Sequence, residues 1–326
     1  MNRARTAIFG ASHWHVPLYL PAMVAHHDIV GVSDRDLQAA NTIAAGLGGA
    51  PVRTHAELLE TELDLAYVFG PHDEMPGLCL ALIDRGVPIV VEKPLGTSID
   101  DLRGVEAAAK RANVPIAVPL AQRGGPIEAW LAQAGRPVYE RASFVAGPPQ
   151  RYQRNGNPWM LDPERAGGGC LANLGPHFVD LFLQRAGETS AEVTASLSSR
   201  LHGLGVEDHA TLILTTPGGR EAIIEVGYAF PDSTTKRYCS FTTVGEGGYA
   251  AIDADGRAMF TAADGTTTWA TLDVDSDPLY GEFVRRVATT LDDGFPGMPS
   301  IKDLADTMMI IWDAYQRERG VGGADV

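Results

Sequence analysis

Hydrophobic positions in the first third of the chain fall in short, nearly unbroken runs. Thr6–Phe9, Ile29–Val32, Leu65–Phe69, Pro88–Val91 and Val114–Val118 are such runs. Apolar residues with no polar alternation predict strands buried on both faces, as in a parallel sheet covered by helices. Between them the spacing turns helical over Pro17–Ala25, Leu37–Leu47, Gly77–Asp84 and Ile99–Arg111. Ser98 stands where an N-cap is expected, with Asp100 and Asp101 in the first turn behind it. Strand and helix in alternation predict an α/β fold, a doubly wound parallel sheet spanning residues 1–120.

After that the pattern changes. Pro126–Ala134 reads as helix, Val138–Val145 as strand, and residues 147–169, rich in proline, glycine and asparagine, as one long loop. Cys170–Ala186 is helical. Glu192–Leu197, Ala210–Thr215, Ala222–Val226, Arg237–Val244 and Thr266–Leu272 alternate as strands do, with hairpin turns at 217–219 and 245–248. Helices close the chain at Leu279–Leu291 and Ile301–Arg319. Residues 121–326 are therefore expected to form an α+β domain with an open, mostly antiparallel sheet and helices on one face.

Composition narrows the class. The 326 residues are 45% hydrophobic and 21% charged, as in ordinary globular proteins. With 26 basic and 41 acidic side chains the formal charge is −15, which disfavours nucleic acid and anionic lipid as partners. Cys79, Cys170 and Cys239 are few and widely spaced, so neither a disulfide framework nor a cysteine zinc site is expected. With no leader-like or membrane-spanning apolar stretch, the expected compartment is the cytoplasm.

Three segments carry candidate chemistry. Gly10-Ala11-Ser12-His13-Trp14-His15 is a strand-to-helix turn that retains one glycine of a dinucleotide fingerprint. Asp34, about 20 residues further on at the end of the second strand, is placed to accept hydrogen bonds from ribose hydroxyls. Its charge repels a 2′-phosphate, which Ser33 and Arg35 beside it would suit, so NAD is preferred and NADP stays open. Glu92-Lys93-Pro94 follows another strand, at the sheet edge where α/β proteins bind ligands. A lysine there can exchange a proton with a substrate hydroxyl, although position alone favours a solvated surface charge. Asn173 and His177 lie four apart in a predicted helix after Gly167-Gly168-Gly169 and share a face, with Asp180 a turn later. Trp159 in the long loop is a candidate for stacking on a sugar ring. The run Glu207-Asp208-His209 does not read as a metal site, because neighbours on a strand point to opposite faces.

In this order, the βα turn, Glu-Lys-Pro and Gly-Gly-Gly…Asn-Leu-Gly-Pro-His-Phe-Val-Asp resemble the Gfo/Idh/MocA family along nearly the whole chain. The resemblance implies a Rossmann domain followed by a substrate-binding and oligomerisation domain, with a homodimer or homotetramer as the assembly. It implies Lys93, His177 and Asn173 as catalytic residues and Arg123, Trp159, Asn173 and His177 as substrate contacts. The implied dinucleotide set is Gly10, Ser12, His13, Asp34, Arg35, Pro71, Glu92 and Lys93. The chain departs from the family pattern in its reduced glycine turn and in Asn173, where aspartate is commoner. It departs again at His72 and Met75, which stand where a Thr-Pro-Asn turn and a later histidine are usual. The implied activity is hydride transfer between NAD(P) and a hydroxyl or carbonyl of a sugar, polyol or related compound. Lys93 would act with His177 from across a cleft between the domains. A lyase or glycosidase using the cofactor transiently, and a non-catalytic dinucleotide sensor, are the alternatives. No metal is expected.

Overall fold

The structure is a computed structural model that describes residues 3–321. The outer ends of the two expected domains, residues 1–2 and 322–326, lie outside the described residues. Two compact units are present. The first comprises Met1–Pro119, Tyr152–Gly167 and Ser276–Ala305, and the second Leu120–Arg151, Gly168–Asp275 and Asp306–Val326.

In the first unit the chain runs β1 (Arg5–Phe9), α1 (Val16–His26), β2 (Asp28–Ser33), α2 (Leu37–Gly46), β3 (Val52–Arg53) and α3 (His55–Leu59). It continues through β4 (Leu65–Val68), α4 (Met75–Asp84), β5 (Ile89–Val91), α5 (Ile99–Ala112) and β6 (Ile116–Ala117). The six strands form a parallel sheet in the order β3-β2-β1-β4-β5-β6. The order in which strands are added reverses between β1 and β4, the point in such sheets where ligands bind beyond the carboxyl ends. All of β4 and β5 is buried, and so is β1 apart from Arg5, which is why their sequences lack polar alternation. The expected cap at Ser98 is a capping box, with Ser98 Oγ accepting the Asp101 N–H at 3.2 Å and Asp101 reaching back to the Ser98 N–H.

The second unit begins with α6 (Pro126–Leu131) and β7 (Pro137–Ala146). The segment read from sequence as one long loop instead contains α7 (Gln150–Arg154), a 3₁₀ turn at Pro158–Leu161 and α8 (Pro163–Ala166). Each is shorter than the span over which helical periodicity can be seen. Then come α9 (Cys170–Ala186), β8 (Glu192–Ser198), β9 (His209–Thr215), β10 (Glu221–Gly227) and β11 (Arg237–Gly245). The sheet is completed by β12 (Gly248–Ile252), β13 (Arg257–Ala262) and β14 (Thr267–Thr271), of which β12 and β13 were not expected. Its order is β14-β13-β12-β11-β7-β10-β9-β8, antiparallel except for the β7–β10 pair. Here burial alternates along β9 and β10, as one covered face requires, and α9 packs on β7, β9 and β10. Helix α10 (Asp277–Thr290) packs on α1 in the first unit, and α11 (Ile301–Val321) ends the described chain. No helix among the described residues is long and apolar enough to cross a membrane.

Candidate functional site

The turn after β1 is set by Gly10. Its φ is 77°, and a Cβ there would lie 2.2 Å from the carbonyl oxygen of Phe69 at the exit of β4. Only glycine lets the two strand ends approach so closely. Beside them opens a cleft of about 200 Å³, lined by Gly10, Ser12, Asp34, Arg35, His55, Pro71, Glu74, Trp159 and Arg165, among others. Asp34 is the hub of its rim: one carboxylate oxygen accepts the Ser12 N–H at 2.7 Å and the other the Asp36 N–H at 2.7 Å. Five sequence candidates therefore meet here, namely Gly10, Ser12, Asp34, Arg35 and Pro71. Trp159 joins them: its indole N–H donates to Asn157 at 3.1 Å and its ring meets the His72 ring edge-on at 4.8 Å. Ser33 does not, because it is fully buried with its hydroxyl directed at the Ile8 carbonyl. Its expected reach toward a phosphate is thereby corrected. Glu74, Arg165 and His55 are cleft residues that the sequence did not single out.

His15 stands at the third glycine position of the fingerprint, with His13 two residues before it, and both are buried. His13 Nδ1 accepts the His15 N–H at 3.2 Å, and burial followed by the neighbouring His15 holds its pKa well below the ordinary histidine value. His15 Nδ1 lies 3.0 Å from Glu92, which also accepts the Tyr19 hydroxyl at 2.5 Å. The Glu92 carboxylate is thus engaged inside the unit, and it accepts the Lys93 N–H at 3.2 Å as well. Lys93 itself is only 2% exposed, so it is no solvated surface charge. His72 donates from Nδ1 to the Ala166 carbonyl at 2.7 Å. Burial lowers its pKa to about 3, with the Lys93 charge acting in the same direction.

The second unit carries Arg123, Asn173 and His177. Asn173 and His177 sit one turn apart on α9, as expected, and both are buried. Asn173 donates from Nδ2 to the Tyr228 hydroxyl at 2.9 Å. His177 Nδ1 accepts the Ala121 N–H at 3.3 Å, so a neutral ring carries its proton on Nε2. Arg123 donates to Asp180 at 2.7 Å, which ties the 120s turn to α9 and neutralises a buried carboxylate.

What positions α9 is unusual. Its N-cap is Gly169, which has no side chain to cap the helix, and the caps come from elsewhere in the unit. Glu207 accepts the N–H groups of Gly169 at 2.9 Å and Leu171 at 2.8 Å through its carboxylate, and that of Cys170 at 3.1 Å through its carbonyl. The Tyr315 hydroxyl accepts the Ala172 N–H at 3.0 Å and donates to Glu207 at 2.7 Å. The glycines make room for this: a Cβ on Gly168 would lie 2.2 Å from the Tyr315 oxygen, and one on Gly169 2.2 Å from the Glu207 carbonyl. Gly168 and Gly169 thus serve as a packing device at the start of α9. His209, two residues after Glu207, pairs with Glu225 at 3.1 Å.

Comparison with known proteins agrees with this architecture. Residues 4–119 match the model described as the oxidoreductase family, NAD-binding Rossmann fold, and residues 132–251 match the GFO/IDH/MocA C-terminal domain. The chain belongs to the Gfo/Idh/MocA family. Among its relatives, trans-1,2-dihydrobenzene-1,2-diol dehydrogenase of Xenopus laevis is 29% identical over 231 residues, covering 66% of this chain and 65% of the relative. D-apiose dehydrogenase of Paraburkholderia graminis is 26% identical over 255 residues, covering 74% and 65%. The chain thus spans a little under two thirds of these relatives' length. An oxidoreductase from Agrobacterium radiobacter, solved with NAD+, L-tartaric acid and magnesium, superposes with a TM-score of 0.85 at 18% identity, covering 97% and 96% of the two chains. Levoglucosan dehydrogenase, solved with NADH and levoglucosan, gives 0.83 at 15% identity, covering 97% and 98%. At such identities these structures share the fold.

Proposed function

We propose that this protein is an NAD-dependent dehydrogenase acting on a hydroxylated compound of the sugar or polyol class. The observation that carries this reading is the Asp34 carboxylate at the carboxyl end of β2, on the rim of a cleft beside the Gly10 turn. A carboxylate in that position suits a ribose diol, and the β1–β4 crossover is where sheets of this kind bind dinucleotides. Gly10, Ser12, His13, Asp34, Arg35, Pro71, Glu92 and Lys93 are the residues assigned to it, with Asp34 taking the ribose hydroxyls. The relatives' names, D-apiose dehydrogenase among them, support a carbohydrate-like substrate.

Bound nicotinamide supplies the acceptor or donor of the hydride. The chain's part is proton handling and orientation. In its neutral form the Lys93 amine takes the proton of a substrate hydroxyl, and as ammonium it returns that proton to a carbonyl oxygen. His177, whose Nδ1 accepts the Ala121 N–H, keeps Nε2 as a hydrogen-bond donor for substrate and acts as a donor rather than as a second base. Asn173 adds an amide that orients substrate without titrating, and Arg123 and Trp159 complete the proposed substrate contacts. Residues 1–120 serve as the dinucleotide domain and 121–326 as the substrate-binding and oligomerisation domain. Exposed Ile213, Tyr249 and Trp269 on the second unit's sheet support a homodimer or homotetramer. Buried, unpaired Cys79, Cys170 and Cys239 support a reducing compartment, the cytoplasm.

The test is to titrate the protein with NAD and then present a panel of sugars and polyols while following dihydronicotinamide absorbance. Net accumulation of reduced dinucleotide with one of them is expected. Substrate conversion with no accumulation would point instead to a transient redox cycle, and no dinucleotide binding would refute the reading.

A further inference from the structure

We propose that Glu74 makes the cleft selective for a dinucleotide with an unphosphorylated 2′-hydroxyl, by holding Arg35 and Arg165 away from any incoming phosphate. This rests on the dinucleotide reading above and deepens it.

Arginine is the side chain that holds a phosphate best, since its fork of N–H donors matches two phosphate oxygens. The cleft has two, and both are already engaged by one carboxylate. Glu74 Oε1 lies 3.0 Å from Arg35 and accepts from Arg165 at 2.6 Å. Arg165 also reaches Asp73 at 3.5 Å. The Arg35 side chain is 78% exposed against 19% for Glu74, so this pairing directs an otherwise solvated group.

The remaining features of the rim act in the same direction. A helix N-terminus is the other common phosphate site, and that of α2 borders the cleft. It is filled by its own cap: Asp36 accepts the N–H groups of Gln38 at 2.9 Å and Ala39 at 3.1 Å. Ser33 is turned inward to the Ile8 carbonyl. His55 lines the cleft too, with its pKa lowered chiefly by burial, so it adds no positive charge at neutral pH. The lining thus sets three carboxylates, Asp34, Asp36 and Glu74, against two guanidiniums, Arg35 and Arg165, for a net −1. A phosphate would bring roughly −1.5 to −2 more into it, whereas a hydroxyl brings a donor to Asp34. Removing the Glu74 charge brings the lining to net zero and releases Arg35 and Arg165 from that carboxylate, leaving Arg165 only its longer contact to Asp73, without changing the side chain's shape.

The experiment is a binding titration of the full chain with NAD and with NADP, by calorimetry or intrinsic fluorescence. It uses the wild type, Glu74→Gln and the double variant Glu74→Gln/Arg35→Ala, with melting curves to show that all three fold. The wild type should bind NAD about tenfold or more tighter than NADP. Glu74→Gln should tighten NADP by about tenfold or more while changing NAD by no more than about threefold, and Arg35→Ala should remove much of that gain. Lower ionic strength should enlarge the NADP gain in Glu74→Gln. A wild type indifferent to the 2′-phosphate would overturn the inference, and so would a folded Glu74→Gln whose preference is unchanged. A wild type that binds neither dinucleotide would overturn the dinucleotide reading itself, and the inference with it.

Discussion

Tyr315 offers the sharpest test of how the second unit holds its candidate side chains. Its hydroxyl is shared between the Ala172 N–H at 3.0 Å and the Glu207 carboxylate at 2.7 Å, in a place where solvent cannot substitute. Tyr315→Phe removes one oxygen and leaves the ring. A hydrogen bond to a charged acceptor contributes roughly 1.5–3 kcal/mol, and orphaning a buried N–H costs about 1–3 kcal/mol. The two losses share a cause and do not simply add, so the expected destabilisation is about 2–4 kcal/mol. With a urea m-value of roughly 2–3 kcal/mol/M, the transition of the second unit should move down by about 1 M. Glu207→Gln and the double variant should be strongly non-additive with it, because both act on the first turn of α9. A Tyr315→Phe midpoint within about 0.2 M of wild type would refute the capping argument.

Further outcomes follow from the same geometry. Gly10→Ala places a Cβ against the Phe69 carbonyl at a φ of 77°, and should cost about 2 kcal/mol or more in denaturant unfolding and weaken NAD binding. Asp34→Ala should weaken NAD about 10- to 100-fold in a binding titration, the loss of charge-assisted hydrogen bonds to the ribose. His72 has its pKa lowered from 6.5 to about 3, chiefly by burial. The folded state therefore binds fewer protons than the unfolded state inside that window. Its contribution to stability is complete above pH 6.5 and is lost as pH falls toward about 3. His72→Gln should flatten the fall in stability measured by denaturation between pH 6.5 and 4, and an unchanged slope would show that other groups control it.

Much of the first unit is legible in sequence because its strands are buried on both faces. The runs at Ile29–Val32 and Leu65–Phe69 need no tertiary information to be recognised, and Asp34 is found from strand position and spacing alone. Short elements are different. Gly248–Ile252 carries small residues beside a turn, and Pro163–Ala166 is a single turn of helix, so neither imposes a readable period. The cleft also borrows residues that are remote in the chain. Trp159 and Arg165 reach it only because Tyr152–Gly167 packs within the first unit, which no local pattern encodes. Glu207 shows the converse. Its neighbours Asp208 and His209 suggest a metal cluster at first sight, yet its carboxylate caps a helix that begins 37 residues earlier in the chain. The close approach of Tyr315 to Gly168 and of Glu207 to Gly169 is likewise a tertiary fact.

The central claim is that Lys93 moves the substrate proton and that dinucleotide affinity rests mainly on the other residues assigned to it, Asp34 above all. Lys93→Ala, assayed on a substrate found with the wild type, measures this directly. The account predicts a loss of about 10²- to 10⁴-fold in kcat, with the NAD dissociation constant within about threefold of wild type. Turnover near the wild-type rate in a folded, NAD-binding Lys93→Ala protein would contradict it.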